Sequence, residues 1–505
     1  MQTRSLAALS IAAVLASLFL CLGSAPLFDV DEGAFSQATM EMFQRGDFLS
    51  TYLNGVPRYD KPILVYWLQA ASVLALGPNE WAFRLPSAIC ATLWCFLLFL
   101  FTRTFYGVSV GLAAAACAAT SLGVFIIGRA ATADALLNLL IAATMFSAWL
   151  YLQRGERKWL YAAFVAIGLG VLAKGPVAIL IPGAVTFLFC LIRKDFKTWL
   201  RMIFDWRGLA LFVLIAAPWY VVILNKEGWA FVEGFILKHN VQRFGQPLQS
   251  HGGSLVYYFP VVLLASLPHT GLFVRIFTRL KSLWADDLKC YLLLWFAFVF
   301  VFFSLSGTKL PHYVLYGMSG MFVLMSLQAT EAPSRWWLAV PVALLFAFLL
   351  ALPWALETAA ARTSDAYYRE ALAGIRFSTL YYTYVAATAL FLLWLVAQPR
   401  IEAPHKLAAS GALAAATLAA FVVPTLGVVQ KPVKEAAQLA RERKYDVVMW
   451  GINAPSFSVY YGRPTASRTP RAGDVVITRT RRLKELPAYD TVYARQGIAL
   501  VRIRG

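Results

Sequence analysis

Long apolar runs separated by short polar turns fill this chain from its first residues to about position 430. A bilayer's hydrocarbon core is about 30 Å thick and takes about 20 helical residues to cross. Thirteen runs read as spans: 5–22, 84–102, 107–127, 134–152, 158–173, 176–192, 208–224, 255–274, 288–305, 311–328, 336–354, 379–397 and 406–427. The run 62–77 is shorter and predicts a re-entrant or interfacial helix inside the polar loop 23–83. The first 25 residues also have the form of a cleaved signal peptide, but the dense runs after them favour an uncleaved first span. Past residue 430 the periodicity changes. "VKEAAQLARERK" is a short amphipathic helix, "YDVVMW", "DVVITRT" and "GIALVRIR" are strands, and "NAPS" and "YGRP" are turns. The expected fold is therefore mainly α: a polytopic membrane domain over 1–429, then a small α/β domain over 430–505.

Composition agrees, with 60% hydrophobic and 14% charged residues, against about 45–50% and about 25% in soluble domains. The net charge of +19 would point to nucleic acid in a soluble protein. Here it sits largely between spans, where it sets orientation and excludes a nucleic-acid partner from the reading. With the N-terminus in the cytoplasm, the inside loops carry 17 Lys or Arg in 60 residues and the outside loops 12 in 128. That asymmetry has the sign the positive-inside rule requires, and an odd number of spans puts the tail outside. The tail itself is net +9, a charge that suits either lipid phosphates or simple solubility. The six cysteines lie in or beside apolar runs without metal-ligand spacing and read as small core residues.

Span centres are almost free of charge, whereas polar residues gather at span ends on the outside face. Ionisable groups at membrane depth mark function. Asp29, Asp31 and Glu32 follow the first span, and "GVPRYDKPILVYW" closes the same loop with Arg58, Asp60 and Lys61. Asp134 opens the fourth span, Lys174 separates the fifth from the sixth, and Lys309 and His312 separate the ninth from the tenth. His239, Arg243 and His251 lie in the fourth outside loop. A carboxylate at such a mouth accepts or orients a proton from an attacking hydroxyl. Arg58, Lys61, Lys174, Arg243 and Lys309 are suited to grip a phosphate and to stabilise charge on it as it leaves. Asp31 and Glu32 are neighbours about 100° apart on a helix, so one can face a site while the other does structural work. Simpler readings stand beside these. Asp29 and Asp134 also serve as helix caps, Lys174 and Lys309 as snorkelling lysines, and Tyr66, Trp67, Trp219, Tyr220, Tyr257 and Tyr258 as interfacial belt anchors.

The segments "FDVDEGAFSQATMEM", "GVPRYDKPILVYWLQA", "FRLPSA", "ADALLN", "LAKGPVAILIP", "APWY", "HNVQRF", "YYFPVVLLASLP" and "GTKLPHYVL" occur in one order over residues 26–316. This series resembles the bacterial aminoarabinose transferases that modify lipid A and their wider kin, the protein O-mannosyltransferases, all of the GT-C fold. The resemblance implies transfer of a sugar from a polyprenyl-phosphate carrier to a lipid, glycan or protein acceptor at the periplasmic face of a bacterial inner membrane. It implies that Asp31 is the site carboxylate, with Glu32 beside it and Asp134 as a second acid. Lys61 and Arg243 would hold the carrier phosphate, with Lys174 from the "KGP" loop. Asp60 stands where the family usually has Glu, and "KPI" where it has "KPP". The resemblance also implies that Asp60 and His239 can hold zinc. A transporter or flippase and a non-catalytic scaffold remain as other classes of reading.

Overall fold

The computed structural model describes residues 2–242, 253–331, 334–363 and 366–504. The first span is α1 (Gln2–Leu18), and the loop after it holds α2 (Asp31–Arg45), a two-strand hairpin β1 (Tyr52–Leu53) and β2 (Val56–Pro57), and α3 (Leu64–Leu76). Then follow α4 (Glu80–Tyr106), α5 (Val108–Thr120), α6 (Leu122–Arg129), α7 (Asp134–Arg154), α8 (Arg157–Lys174), α9 (Val177–Ile192), α10 (Phe196–Ile203) and α11 (Trp206–Glu227). A π-helical segment, 232–242, comes next. Further long helices cover 287–305, 318–330, 336–362, 379–397 and 403–417.

Seven helices among the described residues are long and apolar enough to cross a membrane, or eight if α5 and α6 count as one span bent by 65°. The other expected spans have visible reasons to differ. Helix α8 carries Arg157, Lys158 and Lys174 at its ends. The run 255–274 breaks into helices 258–265 and 270–277 around Pro268, and 311–328 starts as a 3-10 turn before the helix at Met318. Helix α7 is the most central, with 78% of its apolar window buried, while α11 lies at the rim with 22%. Alanine-rich α5 buries ten of its thirteen residues, because small side chains let membrane helices approach closely. The short run read as 62–77 is α3, lying between α2 and α4.

The tail folds into a four-strand sheet, β3 (Val447–Met449), β4 (Val475–Arg479), β5 (Tyr489–Arg495) and β6 (Ile498–Ile503), in the order β3-β4-β6-β5. Helices Lys431–Glu442 and Pro455–Tyr461 pack on it through Ala436, Ala440 and Phe457. The "NAPS" turn runs straight into the second helix, since Pro is favoured at the first helical position. This domain sits on the first loop. The Leu27 amide donates to the Tyr460 hydroxyl (2.7 Å), Lys434 pairs with Glu80 (2.6 Å), and Asp29 accepts from the Ser456 amide (2.8 Å) and hydroxyl. Asp29 is thus a cap after all, but for a helix 427 residues away in sequence.

Packing of the tail over Asp29 pushes its pKa from 3.8 up to about 7, against the pull of the Ser456 hydrogen bonds. The docked state therefore holds a proton that the undocked state releases above its ordinary pKa, and docking weakens as pH rises from about 4 to about 7. Amide protection factors at 456–461, corrected for the intrinsic pH dependence of exchange, should fall across that window in the wild type and stay level in Asp29→Asn, which keeps an acceptor for Ser456 N–H. An equal slope in both proteins would refute the assignment.

Candidate active site

The site starts from a buried clamp where the chain leaves α1. Arg84 on α4 donates from Nε to Glu32 Oε1 (2.8 Å) and from Nη2 to Oε2 (2.7 Å). Its remaining N–H groups reach the carbonyls of Leu22, Ala25 and Pro26. Glu32 also accepts from the amides of Phe28 and Ala131. All four lone-pair directions of its carboxylate are taken. Burial alone would raise its pKa, but the Arg84 charge and these donors hold it below the usual range. Glu32, expected as a catalytic residue beside Asp31, is placed as the structural member of the pair. Asp31, one residue earlier on α2, is exposed and has no hydrogen-bond or ion-pair partner among the described residues.

One turn along that face, Phe35 lies under the Arg58 guanidinium, 5.3 Å from its ring centre. The hairpin that delivers Arg58 turns at Asn54 (φ 53°) and Gly55 (φ 84°). Positive φ at both positions is what a two-residue hairpin with the twist of its strands demands, and Asn-Gly meets it. Glu41 secures the turn by accepting from both amides. The Arg58 side chain is only 9% exposed and pairs with Asp60 at 3.2 Å. Its Nε and Nη1 have no partner among the described residues. Lys61 donates to the Asp60 carbonyl (2.8 Å) at the mouth of α3.

A second cluster lies where α7 begins. Asp134 forms a buried ion pair with Lys174 at the end of α8. Tyr316 donates to Asp134 (2.8 Å), Lys174 donates to the Tyr316 hydroxyl (2.6 Å), and His312 Nε2 stands 3.5 Å from the same carboxylate. Asp134 does not cap its own helix, and Lys174 does not snorkel; each is held by the other. Lys309 is buried and donates to the Ser306 carbonyl (2.7 Å). The 232–242 segment joins the two clusters. Phe231 packs on Tyr59 (5.8 Å), and a side chain on Gly234 would strike Tyr59. Phe235 closes so tightly on Gly175 that a Cβ there would stand 2.6 Å from its ring. An apolar groove of 280 Å³ runs from Pro176 and Phe235 along Ala216 and Tyr220.

Arg243 and His251 lie outside the described residues, as does the side chain of His239. Arg58 already engages Asp60, and no group of three His, Cys, Asp or Glu side chains converges among the described residues. Several expected belt aromatics turn inward instead: Tyr66 and Tyr258 are fully buried. The polar ends of Tyr258, Trp219 and Tyr220 bond to the carbonyls of Leu310, Leu49 and Val171. Sequence reasoning missed Tyr316, and also Glu227, which accepts from Tyr59 (2.8 Å) and Ser50 (2.9 Å). Only the Asn54-Gly55 dipeptide could have announced the hairpin behind Arg58.

This fold, with acids and cations at helix ends on one face, defines a polytopic membrane protein of the GT-C class. Residues 60–221 match the family described as dolichyl-phosphate-mannose-protein mannosyltransferase. The chain is 29% identical over 360 residues to the undecaprenyl phosphate-alpha-4-amino-4-deoxy-L-arabinose arabinosyl transferase of Yersinia enterocolitica, covering 68% of this chain and 64% of that one. It is 29% identical over 310 residues to the enzyme of that name from Erwinia tasmaniensis, covering 59% and 55%. The match thus spans less than two thirds of either relative. The crystal structure of ArnT from Cupriavidus metallidurans bound to undecaprenyl phosphate superposes with a TM-score of 0.81 at 19% identity, covering 98% of this chain and 97% of that one. The chain thus shares the GT-C fold with that transferase structure and matches the mannosyltransferase family over residues 60–221.

Removing one partner of a buried ion pair leaves an uncompensated charge, at a cost of about 3–5 kcal/mol. Arg84→Met should lower the unfolding midpoint in detergent well beyond Asp31→Asn, whose carboxylate is exposed. A midpoint equal to wild type would show that the clamp carries no stability.

Proposed function

We propose that this chain transfers a sugar from a polyprenyl-phosphate carrier to an acceptor at the outer, periplasmic boundary of a bacterial inner membrane. The observation that carries the reading is that Arg58 stacks on Phe35, one turn along the helix that begins at Asp31. A buried guanidinium with two partnerless nitrogens, Nε and Nη1, is prepared for an anion, because leaving their N–H groups unmet costs free energy that a phosphate would recover. The exposed Asp31 carboxylate, one helical turn before Phe35, is prepared for the acceptor. The groove beside Phe235 and Tyr220 offers the carrier's tail an apolar path at the same depth. Relatives named for undecaprenyl-phosphate-linked aminoarabinose support that donor class.

The reaction is a single displacement with inversion. Asp31 orients the acceptor hydroxyl and takes its proton as the oxygen attacks the anomeric carbon. The bond from that carbon to the carrier oxygen breaks, and the electron pair leaves with the polyprenyl phosphate. Arg58 and Lys61 stabilise the growing charge, with Arg243 expected to join them. Where the acceptor is itself a phosphate, no proton need move, and Asp31 binds a donor amine or hydroxyl instead. Asp134, Lys174 and Tyr316 bond to one another and form a fixed polar wall. Lipid A or the lipopolysaccharide core is the leading acceptor, and a protein of the same compartment is the alternative.

Asp31→Asn should keep its unfolding midpoint and lose about 10²–10⁴-fold in transfer rate, the usual worth of a positioned base. Arg58→Ala should weaken donor use more than acceptor use. Lipid mass spectrometry of cells with and without the gene should show one sugar mass disappear from the envelope lipids. Wild-type transfer by purified Asp31→Asn would overturn the proposal.

A further inference from the structure

A second set of spaces lies on the face opposite Asp134 and Lys174. Helix α8 ends at Lys174 and begins at Arg157, so its eighteen residues separate the two faces by about 27 Å at about 1.5 Å per residue. There Arg157, Arg201, Asp205 and Trp206, with Tyr151 and Phe204, line an open cleft of 500 Å³. Arg157 and Arg201 are exposed, and neither has a hydrogen-bond or ion-pair partner among the described residues. Asp205 is engaged in capping α11 through the Gly208 amide (2.9 Å). Phe204 and Trp206, 70% and 71% exposed, stand at the rim where aromatic rings meet the headgroup layer.

One turn further into the membrane is a separate apolar cavity of 160 Å³. The same two helices line both spaces: Arg157 and Leu160 on α8, and Arg201 and Met202 on α10. The other walls include Phe164, Gly183 and Leu209. The two threonine hydroxyls in the lining are spent on their own helices, Thr144 on the Leu140 carbonyl and Thr186 on that of Pro182. Nothing in it offers water the polar partners it needs. Ile179 and Phe212 line both this cavity and the groove below the candidate site, so they stand between the two.

We propose that this cleft and cavity together bind one anionic glycerophospholipid from the leaflet opposite the candidate site. Its phosphate sits between Arg157 and Arg201, and part of one acyl chain fills the apolar cavity. A free anion would have no use for the cavity; with Asp205 in the lining the cleft carries one net positive charge, which a singly anionic lipid balances and a zwitterionic lipid does not. The wall at Ile179 and Phe212 limits the tail to a short segment, which suits an acyl chain better than a long polyprenyl chain. The inference does not rest on the transferase reading, because neither arginine belongs to that site.

The test is native mass spectrometry of the full chain released from nanodiscs of equal phosphatidylglycerol and phosphatidylcholine. The wild type should retain one phosphatidylglycerol, at least fivefold over phosphatidylcholine. Arg157→Ala with Arg201→Ala should abolish that preference, while Arg154→Ala, an exposed neighbour outside the cleft, should preserve it. Gly183→Leu provides a second, independent variant. No atom lies within 4 Å of a Cβ at that position, so the new side chain enters the cavity without a clash, and retention should fall with both arginines intact. Retention unchanged in either variant overturns the site. Displacement by millimolar inorganic phosphate with Gly183→Leu unaffected reduces it to an anion cleft and overturns the lipid. Displacement of phosphatidylglycerol by equimolar undecaprenyl phosphate overturns the choice of lipid.

Discussion

The bidentate pair between Arg84 and Glu32 is the constraint from which the site's geometry follows. Burying either charge alone is prohibitive. Together they satisfy five guanidinium N–H groups and four carboxylate lone-pair positions with partners from four stretches of chain. Those stretches are the exit of α1, the start of α2, the body of α4 and the residues just before α7. The chain has no freedom left where it leaves the first span. Asp31 points outward because Glu32 must point inward, and Asp134 begins its helix three residues after the amide that Glu32 holds.

The second cluster obeys a different logic. Asp134 and Lys174 neutralise one another at the ends of adjacent helices, and Tyr316 bonds to both. Such a network is rigid because each member satisfies the others, so it can serve as a fixed wall. Arg58 is the opposite case: buried, stacked on Phe35, and incompletely satisfied. An anion placed beside a buried cation in that state would gain the hydrogen bonds the protein leaves open. The contrast between a closed network and an open one, both on the same face, is the electrostatic signature of the site.

Much of this was legible in the sequence, and the rest was hidden for definable reasons. The apolar runs gave the helices because hydrocarbon imposes a length, and the loop motifs marked Asp31, Arg58, Lys61, Asp134 and Lys174 as unusual. Periodicity could not show that Asp134 and Lys174 bond to each other, since the pairing depends on how α7 and α8 meet. Tyr316 was hidden in an apolar run, where a tyrosine looks like packing. Glu32 and Asp31 are adjacent acids, and only the position of Arg84 separates their tasks. The breaks at Ser121 and Pro268 lie inside runs whose hydropathy is continuous. The second helix of the tail was masked by a turn signal that also starts helices.

The contact between Asp29 and Ser456 joins the beginning of the chain to its end. A ribosome delivers these segments far apart in time, and domains generally fold in the order they emerge. The acidic loop must therefore wait while the later helices are made and inserted. Its fastening falls to a segment made 427 residues later, so a chain not yet grown past Ser456 lacks the piece that closes over this loop.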